Sequence, residues 1–369
     1  MIAPANTPLE ASSAPASGSS LNRHRAVVRV LLAAILAAVV LTGLSLGAVP
    51  LPSGVVLGLL AQALELPIPA EPTEAQAAVL LHIRLPRVIL GMLVGGGLAV
   101  AGAAMQALFR NPLADPAIIG VSSGAALVAV AVIVLGDTVL QGLHGLLGIW
   151  TLPVAAFLGG LGVTALVYRL SWEQGETHMG SLLLGGIALN SLAGAATGLL
   201  IYMADDAQLR TLTFWAMGSL GGASWVTVLA ALPGVQAACL VIVYHAQVLN
   251  ALLLGEAEAR HLGIDVEWVK RALIAASALA VGTAVAVAGV IGFVELVVPH
   301  LARLLLGPDH RYCLLACALI GSALLTGADL AARTLVAPAE LPIGILTALL
   351  GAPFFLWLLL RKRNGGAAC

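Results

Sequence analysis

Nine apolar windows divide this chain, roughly residues 26–51, 88–108, 117–136, 146–168, 179–204, 226–244, 272–294, 312–328 and 341–360. A hydrocarbon layer of about 30 Å takes roughly 20 apolar residues in helical form. Backbone groups inside it must be satisfied within their own segment, which points to an all-α polytopic membrane protein. A water-soluble globular fold is excluded, because only 9% of the residues are charged and 60% are hydrophobic, against about 25% charged in ordinary soluble domains. With a formal net charge of −1 there is no broad basic field to hold a nucleic acid.

Charge at the two ends corrects the count. Arg23, Arg25 and Arg29 flank the first window and Arg361, Lys362 and Arg363 follow the last. Basic residues favour the cytosolic side, so both termini are expected in the cytosol and the number of spans must be even. Residues 291–306 supply the missing span: they are too short and polar to stand out by hydropathy, yet they lie between two good windows. The resulting ten-span scheme leaves only four of the 17 Lys and Arg outside, namely Arg84, Arg87, Arg210 and Arg333. Residues 1–25 are expected as a disordered cytosolic tail, 26–363 as the membrane domain and 364–369 as a second tail. The first window is longer than a signal-peptide core and is taken as a retained span, with cleavage as the alternative.

An echo at an offset of 187 residues suggests an inverted repeat. Val94-Gly95 and Ala99-Val100-Ala101-Gly102 recur as Val281-Gly282 and Ala286-Val287-Ala288-Gly289, and Pro112 and Gly120 fall on Pro299 and Gly307. Inverted duplication is a common basis of alternating access, although Ala, Gly and Val-rich sequence produces such matches by composition too. Gly91 and Gly95, and Gly185-Gly186, suit close helix packing. Lys270 and Lys362 are the only lysines, and neither closes a phosphate-binding loop, so ATP hydrolysis must come from another subunit. No nucleophile, base and orienting group can be assembled, and no cofactor or metal is expected on this chain. Cys239, Cys313, Cys317 and Cys369 have neither disulfide-framework nor zinc-site spacing.

Residues 84–124 read RLPRVILGMLVGGGLAVAGAAMQALFRNPLADPAIIGVSSG. The stretch resembles the FecCD-type membrane subunits of ABC importers for iron-siderophores, haem and cobalamin. The likeness continues in order through 182–192, 214–225, 249–264, 298–303, 307–311, 328–333 and 339–359. It implies a type II importer permease of ten spans, paired as a homodimer with its pathway on the two-fold axis. Two cytosolic ATPase subunits carrying ATP and magnesium, and a periplasmic binding protein, would complete the importer in a bacterial inner membrane. The wording of 111–116 and 218–225 is similar to the haem permeases of the family.

Residue roles follow from the same resemblance. Arg84, Arg87 and Arg333 would receive carboxylates of the binding protein; snorkelling to headgroups, or pairing with Asp329 or Glu340, explains them as well. The polar stretch 248–271 would form coupling helices in an ATPase groove through Glu256, Glu258, Arg260, Leu262 and Gly263, where otherwise it is a solvated loop. Asn111 and Leu113, with Met179 and Gly180, would narrow the cytosolic exit, and plain helix termination accounts for the same residues. Glu295 departs from the family's G-F-x-G-L pattern. A carboxylate there fits pairing with His300, contact with a substrate on the pathway, or a neighbouring helix. The expected function is import of haem, or another iron chelate or corrinoid. An ion-gradient-driven secondary transporter using Glu295 and Asp329 is the competing class, and a non-transporting scaffold a third.

Overall fold

The computed structural model describes residues 18–47, 49, 51–63, 73–136 and 147–365. Residues 1–17 and 366–369, expected as tails, lie outside the described residues. Fourteen helices follow in order among the described residues: α1 (Gly18–Ser45), α2 (Ser53–Ala63), α3 (Glu74–Leu108), α4 (Val121–Leu135), α5 (Thr151–Leu170), α6 (Met179–Met203) and α7 (Asp206–Ala216), then α8 (Trp225–Tyr244), α9 (Ala246–Leu254), α10 (Glu256–His261), α11 (Val266–Ala288), α12 (Val294–Leu306), α13 (His310–Thr334) and α14 (Ile343–Gly365). A small antiparallel hairpin, β1 (Trp172–Glu173) and β2 (Glu176–Thr177), joins α5 to α6.

Ten of these helices form the bundle, as the end charges required. Seven are long and apolar enough to cross a membrane by length and composition alone. The others are α4, α14 and the 13-residue α12, which occupies the segment inferred from parity. At about 1.5 Å per residue α12 covers roughly 20 Å, less than the hydrocarbon layer, which is why hydropathy passed over it. Its start is set by a turn in which Gly289 and Phe293 take φ of 71° and 69°.

Side-chain bonds sort the loops into two ends. Lys270 reaches Thr177, Asn250 reaches Asp309 and His24 reaches the Leu305 carbonyl at one end. At the other, Arg87 joins Asp329 and Glu340, and the Trp225 indole donates to the Leu81 carbonyl. Successive bundle helices therefore alternate in direction, and an even number returns α14 to the end where α1 began. One boundary needs correction: α1 starts at Gly18, so residues 18–25 are helical and not tail. Arg25 stacks 4.3 Å from the Tyr312 ring centroid and anchors that first part of α1. At the other terminus α14 runs on to Gly365, two residues past the expected boundary.

Helix α3 is the centre of the bundle, with 83% of its apolar window buried against 11% for α6. Glycine makes that centre possible. A Cβ on Gly95 would meet the Gly321 carbonyl and stand 2.7 Å from Leu325 Cβ, and one on Gly102 would strike the Glu295 backbone. The spaced glycines of α3 thus seat α13 and α12 directly on its backbone. Of the Gly185-Gly186 pair, Gly186 packs on Ile118, whereas Gly185 faces open space. The 187-residue echo places α3 against α11 in opposite directions, as an inverted repeat requires. Its register is lost beyond the helices: Gly102 is mid-helix while Gly289 terminates α11, and Pro112 is in a loop while Pro299 is inside α12. Short α2, the hairpin and the capped helix α7 had no counterpart in the sequence analysis. Asp205 and Gln208 cap α7 reciprocally, as Ser224 and Thr227 cap α8.

Candidate functional site

At the Arg87 end, Pro86 cannot donate a backbone hydrogen bond, and the turn before it, Val79–Arg84, widens to a π-turn. Arg84 and Arg87 both point into the protein. Arg84 caps the end of α1, donating to the carbonyls of Leu44 at 2.7 Å, Ser45 at 2.8 Å and Val49. Those carbonyls have no partner within α1, and a cation there meets the negative end of the helix dipole. Arg87 forks between two carboxylates, Asp329 at 2.9 Å and Glu340 at 2.8 Å. Arg333 donates to the Gly43 carbonyl and lies 3.7 Å from Asp329.

Of the three arginines, Arg87 pairs internally with Asp329 and Glu340, Arg333 lies near Asp329 alone, and Arg84 bonds only backbone carbonyls. Sequence spacing could not choose, since the decisive carboxylates are 242 and 253 residues from Arg87. Glu340 lies in the loop between α13 and α14 with its side chain 45% exposed. Its hydrogen bonds from Arg87 hold its carboxyl below the usual carboxylate range.

At the opposite end, residues 246–271 break where glycine permits. Gly255 takes φ of 133° and separates α9 from α10, and Gly263, φ 80°, ends the second helix. The helices implied for 248–271 are present, as α9 and α10 and the start of α11, and the break at Gly255 was not anticipated. The polar stretch after Ile264 is the first turn of α11, with Asp265 as its N-cap. Leu254 and Leu262 stand out, 73% and 68% exposed, with Glu258 exposed beside them. Glu256 and Arg260 turn instead to neighbours: Glu256 accepts from Lys270 at 2.7 Å, and Arg260 pairs with Glu176 at 2.6 Å.

Between α3 and α4 the chain re-enters the bundle. Asn111 Oδ1 accepts from the Leu113 amide, Asp115 caps a short 3₁₀ turn, and Gly120 at φ 87° starts α4. Leu113 is exposed, as is Gly180, whereas Met179 is half-buried against the core. The loop is held to α6 by Asn190, which donates to the Ala117 carbonyl at 3.1 Å and accepts from Ser123. Asn190→Leu removes both bonds, a loss of about 1–2 kcal/mol. Trypsin cleavage after exposed Arg110 is expected to rise about tenfold in detergent solution, and an unchanged rate would show that Asn190 does not hold the loop.

Glu295 sits in the first turn of α12 with 5% exposure. Its carboxyl lies beside that of Asp115, and one of its oxygens has no partner among the described residues. Gln106 donates to its backbone carbonyl and accepts from Arg303. His300 packs edge-on against Phe354 of α14, at 5.7 Å. The contact with Asp115 of a distant loop was not anticipated. Among the described residues no three His, Cys, Asp or Glu side chains are grouped to hold a metal ion.

Ten helices of alternating direction around a glycine-seated central helix make this a multi-pass membrane bundle. Residues 26–361 match the FecCD transport family, and the chain belongs to it. It is 50% identical over 291 residues to the hemin transport system permease protein HmuU of Yersinia pestis, covering 79% of this chain and 86% of that protein. It is 43% identical over 288 residues to the vitamin B12 import system permease protein BtuC of Klebsiella pneumoniae, covering 77% and 83%. A solved inward-facing structure of a metal-chelate type ABC transporter superposes with a TM-score of 0.78 at 32% identity, covering 90% of this chain and 99% of that one. The chain is thus a multi-pass permease of the ABC-importer class and not itself an enzyme.

Proposed function

We propose that this subunit carries haem, or a large chelate of similar size such as a ferric siderophore or corrinoid, from the periplasm to the cytosol of a bacterium. It would act as a homodimer in the inner membrane, with two cytosolic ATPases and a periplasmic binding protein. The observation that carries the reading is the exposed α9–α10 lobe: apolar Leu254 and Leu262 beside Glu258, at the end where most basic residues gather. An apolar patch rimmed by charge outside the bilayer suits a protein partner. Half identity to a hemin permease favours haem among the cargoes. On this reading both termini are cytosolic, and Asn111, Leu113, Met179 and Gly180 border the exit. Arg84, Arg87 and Arg333 lie at the binding-protein end, where docking carboxylates would have to compete with Asp329 and Glu340.

The test is a Glu258→Arg/Leu262→Asp variant reconstituted with its ATPase and binding protein. Hot-spot side chains contribute about 2 kcal/mol or more, so retained ATPase and haem uptake should both fall by about thirtyfold. Uptake at the full rate with unaltered ATP dependence would overturn the coupling assignment.

A further inference from the structure

Among the described residues Lys270 is the largest fully buried side chain, with 2% exposure. A buried ammonium is tolerated only when its donors are satisfied, and this one has three acceptors from three elements. Its Nζ donates to the Glu256 carboxylate of α10 at 2.7 Å, to Glu267 one turn back on α11 at 3.0 Å, and to the Thr177 carbonyl of β2 at 3.1 Å. The other Glu267 oxygen accepts the Thr177 amide at 2.8 Å. Thr177 is thereby held through both its N–H and its C=O. A second link runs in parallel, since Arg260 of α10 pairs with Glu176 at 2.6 Å and approaches Glu267 at 3.6 Å.

Thr177 is two residues before Met179, the first residue of α6. The same ammonium therefore touches the exposed α9–α10 lobe and the peptide leading into the helix that borders the exit. We infer that the Lys270 cluster is the mechanical joint of the transporter: displacement of α10 by the ATPase pulls on Thr177 and so moves the start of α6. Lys270 and Glu267 are positioning residues, reaching neither the ATPase nor the cargo. The inference rests on the proposed docking of the ATPase at Leu262, and it assigns the path from that surface to the exit. An electrostatic joint suits the task. Charge-assisted bonds can transmit a pull between elements as short as a six-residue helix and a two-residue strand.

The experiment places a reporter cysteine at Gly180, where a side chain meets nothing within 4 Å, with Cys239, Cys313, Cys317 and Cys369 replaced by alanine. Labelling by a soluble maleimide is followed in the reconstituted complex with and without ATP plus vanadate. The unaltered joint should change the labelling rate at least about fivefold between the two states. Lys270→Met is expected to keep its ATPase bound and hydrolysing while the ratio falls to about one, with Lys270→Arg retaining most of the effect. Glu267→Gln/Lys270→Met, which leaves only the part-exposed Glu256 without its ammonium, should show the same uncoupling with normal thermal stability, separating lost coupling from misfolding. A nucleotide-dependent ratio that survives in both Met variants overturns the inference, as does release of the ATPase from them. Retention of the ATPase by Leu262→Asp would instead overturn the docking reading, and that result is scored independently of Lys270.

Discussion

Arg87→Met is expected to lower the stability of the isolated subunit by about 3 kcal/mol, the low end of the cost of breaking a buried pair. The arginine is 9% exposed and Asp329 2%, so removing the guanidinium leaves a carboxylate with little access to water. Arg333, 3.7 Å from the same carboxylate, offsets part of the loss and keeps the effect from being larger. Glu340→Gln touches a side chain that is 45% exposed and should cost under about 1 kcal/mol, as surface pairs do. The double variant Arg87→Met/Asp329→Asn should be less destabilised than the sum of its parts, because neither charge is then stranded. Detergent-phase thermal unfolding checks all three. A normal melting temperature for Arg87→Met, with weakened binding-protein affinity, would assign the arginine to docking alone.

Gly102→Leu is expected to be at least as damaging, at about 3 kcal/mol or more, since overpacking reaches that range when backbone must move. The added side chain would start on the Glu295 backbone, where α12 lies directly on α3. No rotamer avoids the clash because it begins at Cβ. The displaced helix carries Glu295 and, through Gln106, the link to Arg303. The expected result is aggregation, or loss of the monodisperse peak in size-exclusion chromatography. Gly162→Leu is the control: a Cβ there meets nothing within 4 Å and should stay within about 0.5 kcal/mol of the parent. Equal behaviour of the two variants would mean that α3 and α12 are not in backbone contact.

The haem reading and the Lys270 joint come from different levels of description. Similarity in sequence supports a cargo class, since a permease for large chelates has few residues that identify one cargo. The joint is a relation among residues 177, 256, 267 and 270, which only the folded chain brings together. Lys270 in the sequence is simply one of two lysines near a polar stretch. Its burial, the one clue to a role, is a property of packing.

By itself the sequence determined the bundle: long apolar windows compel helices because hydrocarbon offers backbone groups no other partner, and terminal basic clusters compel an even count. The even count places a span at residues 291–306, where α12 lies, and the 84–124 stretch carries the family resemblance. Tertiary structure decided which way each charge faces. Arg84 and Arg87 look like an outward pair on one helix face, yet a π-turn and carboxylates more than 200 residues away turn Arg87 inward. Gly95 and Gly185 are alike in sequence, and only one has a helix lying on it. Periodicity is local and can be read along the chain. The partner of a buried charge is set by chain-distant helices meeting in three dimensions, and no sequence spacing records that meeting.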